Sequence, residues 1–288
     1  MDGILLVNKP KFITSNDMVI KIKKHLKEKV GHTGTLDYAA SGLMVLTIGK
    51  GTKITQYLQK LDKEYIAVGE LGKITDTYDS QGKIIEIKPI EIDEKKLEEI
   101  ILSFVGEYLQ TPPPYSSKRV GGTRAYKLAR KGVEVELKPV IVKIYNIEIL
   151  EKNIPYFKIK VACSSGTYVR SLIKDIGDKA GCGAYMTDLM RTKIGNFDLK
   201  DAIDFEDLLK KNPEEIKPIS LKEALYFFPE IKLSQDLERR FRYGQKLKVD
   251  CIEVYSLLFL LYLSTLPSHL ELLYFLLLYN QPLTFVHI

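Results

Sequence analysis

An aspartate at the end of a glycine-rich segment is the first candidate for chemistry in this sequence. Asp37 closes the run Gly31-His32-Thr33-Gly34-Thr35-Leu36-Asp37. An ionised carboxylate held in a largely dry pocket can attack carbon as a nucleophile or promote the loss of a proton. An aspartate in such a loop is more often only a turn or cap residue. Asp37 alone therefore does not define a site.

Several familiar catalytic signatures are missing from the sequence. Met44 stands where a phosphate-binding P-loop ending at Gly49-Lys50 needs its first glycine, and Ser41 lacks the flanking glycines of a nucleophile elbow. The glycines around Cys182 do not complete a dinucleotide fingerprint. The four histidines show no paired ligand spacing, and the three cysteines form no CxxC pair. We therefore expect no nucleotide, redox cofactor, metal or disulfide framework.

Three separate segments of the chain together resemble the TruB-type pseudouridine synthases. They are residues 31–43, which contain Asp37; Lys63-Glu64-Tyr65; and residues 166–172, which contain Arg170. The likeness extends from residue 1 to about residue 250. It departs at Tyr38, where the family usually has proline, and at Tyr185, where histidine is common; both changes alter loop geometry more than chemistry. The resemblance implies an isomerase that converts uridine 55 in the T-loop of tRNA to pseudouridine.

The resemblance also implies three catalytic residues: Asp37, Tyr65 and Arg170. The Asp37 carboxylate would start cleavage of the glycosidic bond at C1′, either by direct attack or by promoting loss of a sugar proton, and both routes remain open. Tyr65 would stack on the target uracil and help remove the C5 proton, because an aromatic face with a polar tip suits a flipped base.

The resemblance further implies four substrate-binding residues. His32 would stabilise the space that the flipped base vacates, and Leu189 would form an apolar wall under the base. Tyr168 and Lys9 belong to blocks that are similar to the family's motifs. Taken singly, each of these residues is more often a packing or surface residue than a ligand contact.

Arg170 is the cation that an ionised Asp37 would need. It lies near the start of a predicted helix, where the positive end of the helix dipole disfavours an unpaired arginine. A carboxylate partner would offset that cost. We therefore expect a bidentate ion pair between Arg170 and Asp37 that keeps the pKa of the carboxyl low.

The charge distribution is consistent with a polyanionic partner. The net charge is +6, but residues 1–250 hold 43 basic and 35 acidic residues and so carry +8. We expect contacts to RNA phosphates from basic side chains, and a mobile loop over residues 112–127 that closes on RNA. The expected phosphate-binding residues are Lys9, Lys21, Lys24, Lys118, Arg119, Arg124 and Lys127.

The elements that must hold these residues mix strands and helices irregularly. The pattern predicts strands at 3–8, 43–48, 63–68, 140–150 and 156–163. In the strand at 63–68, Tyr65 and Ala67 should share one face. It predicts helices that begin near Ser15-Asn16, after Asp93 and after Thr167, where these residues could serve as N-caps, and a separate loop over residues 31–37. This order favours an α+β domain with a central, mixed, largely antiparallel sheet, the fold that the resemblance also implies.

The last 38 residues differ abruptly from the rest. Residues 251–288 contain 13 leucines and no lysine or arginine. Pro267, His269 and Glu271 divide the apolar stretch, so a membrane anchor is not expected; a helix packed on the body or a change of reading frame are the alternatives. We expect a catalytic domain at 1–230, the start of a small RNA-binding domain at 231–250, and an atypical tail at 251–288.

Four functional classes follow from these observations. The first is a cytoplasmic, monomeric isomerase that acts on the tRNA T-stem loop without a cofactor. The others are an RNA-binding protein without catalysis, a guide-RNA-dependent synthase, and a membrane-tethered protein that uses its leucine-rich tail. The start of the chain lacks the cationic segment and long apolar core of a signal peptide.

Overall fold

A computed structural model of the chain describes residues 1–116, 118–125, 128, 133, 137–228, 230, 231, 233–243, 245, 247–249, 252–254, 274 and 275. The strands of the main sheet are β1 Gly3–Lys9, β2 Val30–His32, β3 Ser41–Ile48, β4 Lys63–Leu71, β7 Gly106–Gln110, β10 Val140–Asn153, β11 Tyr156–Cys163, β12 Ala184–Ile194, β13 Phe197–Asp198 and β14 Ile203–Asp204. Outside the main sheet, β5 Lys73–Thr75 pairs with β6 Ile84–Ile87, and β8 Arg119–Val120 pairs with β9 Thr123–Arg124. The expected strands are confirmed, most of them longer than the pattern indicated.

The main sheet is mixed and largely antiparallel, as expected. Its strand order is β14-β1-β3-β12-β4-β11-β10-β7, with β2 added beside β3 and β13 beside β12. The pairings β1–β14 and β3–β12 are parallel, and the other pairings are antiparallel. Strand β12 lies between β3 and β4, although it comes much later in the chain. The sheet thereby holds the segments that contain Asp37 and Tyr65, whereas the segment that contains Arg170 begins the helix Val169–Lys179.

Helices cover the sheet. They are α1 Ser15–Leu26, α2 Thr55–Leu58, α3 Glu94–Leu102, α4 Val169–Lys179, α5 Phe205–Lys210, α6 Leu221–Ala224 and α7 Gln235–Arg242, with 3₁₀ turns at Gly49–Ile54, Leu199–Asp201 and Pro213–Glu215. Side chains of α1, α3, α4 and α5 share a large core with Leu5 and Val7 of β1. Side chains of α2 and α6 share a second core with Ile4 and Leu6. Strand β1 is therefore apolar on both faces because it has helices on both sides.

The central strand β4 shows the alternation that the sequence predicts. Tyr65 and Ala67 are buried, whereas Ile66 and Val68 are only partly covered. On the neighbouring strand β11, Phe157, Ile159, Val161 and Cys163 point into the same core. Side chains that alternate in this way bury one face of a strand and leave the other accessible.

Two N-caps and one loop differ from the expectation. Helix α1 is capped by Thr14, whose side chain accepts a hydrogen bond from the amide of Asp17, so Ser15 is its first residue. Helix α4 has Tyr168 at its N-cap, and Thr167 lies one position earlier. The N-terminal part of the expected loop 31–37 belongs to β2, which pairs with β3. The cap at Asp93 of α3 is confirmed.

The C-terminal part is described only in short pieces. Strands β15 Glu230–Ile231 and β18 Tyr274–Phe275 pair, as do β16 Leu247–Val249 and β17 Ile252–Val254. Most of the expected tail at 251–288 lies outside the described residues. Within the described part of the chain, no helix has both the length and the apolar character needed to span a bilayer. The expected boundaries at 230 and 250 stay predictions.

Candidate active site

The Asp37 loop connects β2 to β3 and is fastened to the start of α1. The Ser15 hydroxyl donates to the carbonyl of Leu36 and accepts from its amide, both at 2.9 Å. The amide of Phe12 donates to the carbonyl of Tyr38 at 2.7 Å. Residues on both sides of Asp37 are thus held by the segment before and within α1. These bonds set the direction in which the Asp37 carboxylate projects.

Arg170 of α4 forms the expected bidentate ion pair with Asp37. Its Nε lies 2.9 Å from Asp37 Oδ2, and its Nη2 donates to Oδ1 at 3.2 Å. The Arg170 side chain is only 7% exposed, whereas that of Asp37 is 39% exposed. The guanidinium therefore forms the floor of the site, and the carboxylate keeps an accessible side.

Asp79 is a second carboxylate at Arg170 that the sequence analysis missed. It lies in the turn between β5 and β6, and its Oδ2 is 3.2 Å from Arg170 Nη1. The carbonyls of Thr77 and Tyr115 accept from Nη1 and Nη2, each at 3.1 Å. The guanidinium is therefore surrounded by two acids and two carbonyls. The only signal in the sequence was an aspartate in a polar turn, which is common in proteins.

The direction in which the pKa of Asp37 is shifted differs from the expectation. Burial raises the pKa of the Asp37 carboxyl above its ordinary value, the guanidinium of Arg170 opposes that rise, and the nearby Asp79 carboxylate adds to it. Although one side of Asp37 is open, protein atoms surround its carboxylate on the others and replace much of its hydration. The prediction that the ion pair would keep this pKa low was therefore wrong, because it counted the cation and not the lost solvent.

Lys9 does not occupy the position expected for a phosphate ligand. It is fully buried at the end of β1, and its Nζ donates to the carbonyls of Ala40 at 2.6 Å and Pro10 at 3.0 Å. Burial lowers the pKa of Lys9 to about 8, while attraction to Asp37 opposes the change. The expected phosphate contact is corrected, because the buried ammonium supports the Asp37 loop from inside.

Tyr65 and Leu189 line the buried face of the sheet close to Asp37. They lie on adjacent strands β4 and β12, where Leu189 pairs with Ala67, two residues from Tyr65. Both side chains are nearly buried, with Tyr65 8% exposed. Burial raises the pKa of the Tyr65 phenol, and the Asp37 carboxylate acts in the same direction. An aromatic ring and a leucine therefore flank the site on its sheet side.

Tyr168 and His32 lie at the borders of the site. The amide of Tyr168 donates to Gln110 Oε1 at 2.8 Å, and its carbonyl accepts from Gln110 Nε2 at 3.1 Å. This pair of bonds fixes the start of α4 two residues before Arg170. His32 is half-buried at the end of β2, before the Asp37 loop. Tyr168 thus lies next to the segment that carries Arg170, and His32 precedes Asp37 by five residues; the roles expected for both stay predictions.

The two positions that depart from the family pattern have structural partners. The ring of Tyr38 packs edge-on against Phe12, with centroids 5.9 Å apart. The hydroxyl of Tyr185 donates to Glu70. Tyr38 lies in the Asp37 loop, as expected, but Tyr185 lies within strand β12 opposite Glu70, so an effect of Tyr185 on loop geometry is not what the structure shows.

The expected RNA-contacting cations are described only in part. Lys21 and Lys24 are exposed on α1, and Lys118 is half-buried. The side chains of Arg119 and Arg124 and all of Lys127 lie outside the described residues. Residues 112–116 and 118–125 of the expected mobile loop include the β8–β9 hairpin, and Tyr115 contacts Arg170. In the described part of the chain, no three His, Cys, Asp or Glu side chains form a group that could hold a metal ion.

Two family profiles match the chain, and together they cover the Asp37 and the Arg170 segments. The profile described as "TruB family pseudouridylate synthase (N terminal domain)" matches residues 21–169. The profile described as "tRNA pseudouridylate synthase B C-terminal domain" matches residues 170–225. The two matches adjoin at Arg170, and the first alone covers more than half of the chain.

Individual proteins show the same likeness. The chain is 45% identical over 250 residues to a tRNA pseudouridine synthase B of Clostridium tetani, and the alignment covers 86% of each chain. It is 45% identical over 240 residues to a tRNA pseudouridine synthase B of Aquifex aeolicus, which covers 81% of this chain and 83% of that one. Among solved structures, a Cbf5–Nop10–Gar1 complex matches with a TM-score of 0.66 and 28% identity, over 85% of this chain and 68% of the other.

Proposed function

The chain belongs to the TruB family of pseudouridylate synthases, and we propose that Asp37, Arg170 and Tyr65 carry the chemistry of its reaction. That reaction is the isomerisation of uridine 55 in tRNA to pseudouridine. The N1–C1′ bond of the nucleoside breaks, the uracil turns, a C5–C1′ bond forms, and the C5 proton leaves while N1 gains one. No electron or atom is gained overall, so the reaction itself needs no oxidant, reductant or energy donor.

The observation that carries the proposal is the ion pair between Asp37 and Arg170. A carboxylate that attacks C1′, or that promotes loss of a sugar proton, must be ionised and must keep one accessible side. Arg170 stabilises the ionised form through two contacts, while the open side of Asp37 faces solvent. Asp79 and the two carbonyls fix the guanidinium, so that it cannot turn away from Asp37.

Tyr65 and Leu189 are proposed to hold the flipped uracil. A base removed from its stack needs an aromatic or apolar surface in place of its neighbours. The two side chains provide such surfaces on adjacent strands next to Asp37. We assign to Tyr65 the removal of the C5 proton, and to His32 and Tyr168 support of the RNA around the vacated position.

The tRNA partner is proposed to be held mainly through its T-stem loop. Exposed lysines of α1, including Lys21 and Lys24, could neutralise phosphates without reading the sequence. We further propose that the protein acts as a monomer in the cytoplasm, where its substrate is found, and without a membrane or a cofactor. Residues 231–250 are proposed as the start of an RNA-binding unit.

The decisive experiment is the substitution Asp37→Asn. The amide keeps the shape of the side chain but removes the charge. We expect loss of pseudouridine from unmodified tRNA, measured by mapping the modified position, while tRNA binding stays nearly unchanged. Asp207→Asn, which changes an exposed acid of α5, serves as the control and should retain full activity.

Two outcomes would contradict the proposal. Turnover by Asp37→Asn would remove this residue from the carboxylate role. A well-folded, unaltered chain that binds tRNA but forms no pseudouridine would favour an RNA-binding protein without catalysis. Activity that appeared only after addition of a guide RNA would instead favour the guide-dependent class.

A further inference from the structure

Arg191 is a buried cation that the reaction described above does not use. It lies on β12 and is 1% exposed, which makes it one of the largest fully buried side chains of the described chain. Its Nε donates to the carbonyl of Leu43 at 2.8 Å, and its Nη2 donates to the carbonyl of Gly34 and to Met44 Sδ, each at 3.1 Å. Among the described residues, no carboxylate forms a salt bridge with Arg191. A buried charge without an acid partner is costly, and its position therefore needs a reason.

The two carbonyl partners fix the guanidinium with respect to the Asp37 loop. Gly34 and Leu43 lie on either side of Asp37 in the chain, so Arg191 joins both ends of the segment that carries the catalytic aspartate. Gly34 is also close to the remaining amino group, since a Cβ added there would lie 3.5 Å from Arg191 Nη1. A rigid fork held by three acceptors cannot move far when the substrate binds.

The guanidinium also lies beside the phenol of Tyr65. Arg191 and Tyr65 are directly opposite each other on the antiparallel strands β12 and β4, and both side chains are buried. Burial raises the pKa of the Tyr65 phenol, and the Arg191 guanidinium opposes that rise. The Cys163 and Asp37 side chains act in the same direction as burial. Among these groups, Arg191 is the cation, and it can offset a negative charge on the phenol oxygen.

We propose that Arg191 is a positioning residue that stabilises the phenolate of Tyr65 when Tyr65 removes the C5 proton from the rotated uracil. In this step the C5–H bond breaks and its electron pair forms the C5=C6 double bond of the ring. The C6=N1 electron pair moves to N1, which takes up the proton that the Tyr65 phenol gave up, and the C5 proton passes to the phenolate oxygen. The fixed dipoles and charge of Arg191 replace the water that an exposed phenolate would have. The inference rests on the proposed role of Tyr65 and adds the group that makes that role possible in a buried site.

The test compares two substitutions that separate charge from hydrogen bonding. Arg191→Lys keeps a cation but loses the fork, whereas Arg191→Gln keeps a donor for the carbonyls but loses the charge. We expect Arg191→Lys to keep kcat within about tenfold of the unaltered chain and Arg191→Gln to lose about 100-fold or more, in the range of general base catalysis. KM for tRNA should change little in either variant, because Arg191 is buried away from the RNA.

An isotope effect distinguishes this role from a merely structural one. With tRNA that carries deuterium at C5 of uridine 55, the kinetic isotope effect on kcat should be larger for Arg191→Gln than for the unaltered chain, because proton removal becomes slower relative to the other steps. An isotope effect equal to that of the unaltered chain, or equal losses of kcat in the two variants, would overturn the proposal.

A double-mutant cycle keeps the proposal testable if Arg191→Gln fails to fold. Tyr65→Phe removes the oxygen through which Arg191 is proposed to act, so Arg191→Lys should have little further effect on kcat in the Tyr65→Phe chain. Fully additive losses in folded variants would refute the inference about Arg191. Full activity of Tyr65→Phe by itself would instead refute the proposed role of Tyr65, so the two failures are distinguishable.

Discussion

At the scale of single residues, the site is organised around the Arg170 guanidinium, which is shared by two carboxylates. Asp37 contacts Nε of the guanidinium, and Asp79 contacts Nη1. A cation between two acids holds each of them less strongly than a single pair would, because each acid also repels the other. Arg170 therefore fixes the direction of the Asp37 side chain, and the proposed reaction would use the accessible side of its carboxylate.

This arrangement predicts how activity depends on pH. In the proposed reaction the Asp37 carboxyl must be ionised, and burial raises its pKa. As pH falls through that raised value, protonation removes the reactive form, so kcat should decline at a higher pH than for an ordinary aspartate. Asp79→Asn removes a neighbouring negative charge and should lower the pKa of Asp37, which moves the acid limb of the kcat profile to lower pH.

The pH profile has a direct control. Asp207→Asn changes an exposed acid far from Arg170 and should leave the acid limb in place. A limb that moved to higher pH in Asp79→Asn would show that Asp79 acts mainly by holding Arg170 against Asp37, and would contradict the assigned electrostatic effect.

Residue chemistry determined which parts of the site could be found from sequence. Asp37 and Arg170 were found because the motif named them and because the helix dipole requires a partner for an arginine near a helix start. Asp79 and Arg191 were missed because their partners are distant in the chain. Asp79 pairs with Arg170, 91 residues away, and Arg191 donates to Gly34, 157 residues away. Lys9 was misjudged because a lysine before proline looks like a surface residue, whereas here it fills the interior below the Asp37 loop.

At the scale of elements, helix α4 must pack very closely on β12 to bring Arg170 to Asp37. Gly177 of α4 makes this possible, because a Cβ there would lie 2.1 Å from the backbone nitrogen of Ala184. The contact is with backbone, which cannot rotate away as a side chain can. The distance between helix and sheet, and with it the position of Arg170, therefore depends on this glycine.

Gly177→Ala tests this packing. Alanine favours helix over glycine by about 1 kcal/mol, but overpacking in a core costs about 1–3 kcal/mol. We expect the clash to dominate, so that urea unfolding shows a loss of stability and kcat falls about tenfold or more as Arg170 is displaced. Asp178→Ala, at an exposed position of the same helix, should change neither strongly. Increased stability with full activity would show that helix and sheet can separate without effect.

The elements themselves were predicted better than their ends. Alternation of apolar residues correctly assigned the faces of β4, because a half-buried strand repeats every two residues. The observed N-caps of α1 and α4 each lie one position from the expected residue. For α1, Thr14, Ser15 and Asn16 can all cap a helix, and the tertiary contact of Ser15 with Leu36 decides among them. Strand β2 was missed because three residues that include a glycine carry no periodic signal.

At the scale of the whole molecule, the described cores lie within the first 225 residues. The buried members of both hydrophobic clusters fall between Ile4 and Leu225. Asp37, Tyr65, Arg170 and Arg191 also lie in this range. The described pieces beyond residue 228 form short strand pairs and helix α7. Stability and chemistry should therefore reside in the N-terminal four-fifths of the chain.

Truncation after Ile231 tests this division. Because the shortened chain keeps both described cores, we expect its thermal unfolding midpoint to stay within a few degrees of the full chain, where about 1 kcal/mol corresponds to about 2–4 °C at this size. It should still form pseudouridine in an isolated T-stem loop hairpin. Binding of whole tRNA, measured by filter retention at fixed salt, should weaken if residues 231–250 begin an RNA-binding unit.

A matched truncation after Lys210 removes Ile216, Ala224 and Leu225 from the cores and should lower the midpoint of thermal unfolding strongly. If truncation after Ile231 unfolded the protein as much as truncation after Lys210, the C-terminal residues would belong to the folded core, and the boundary at 230 would be wrong.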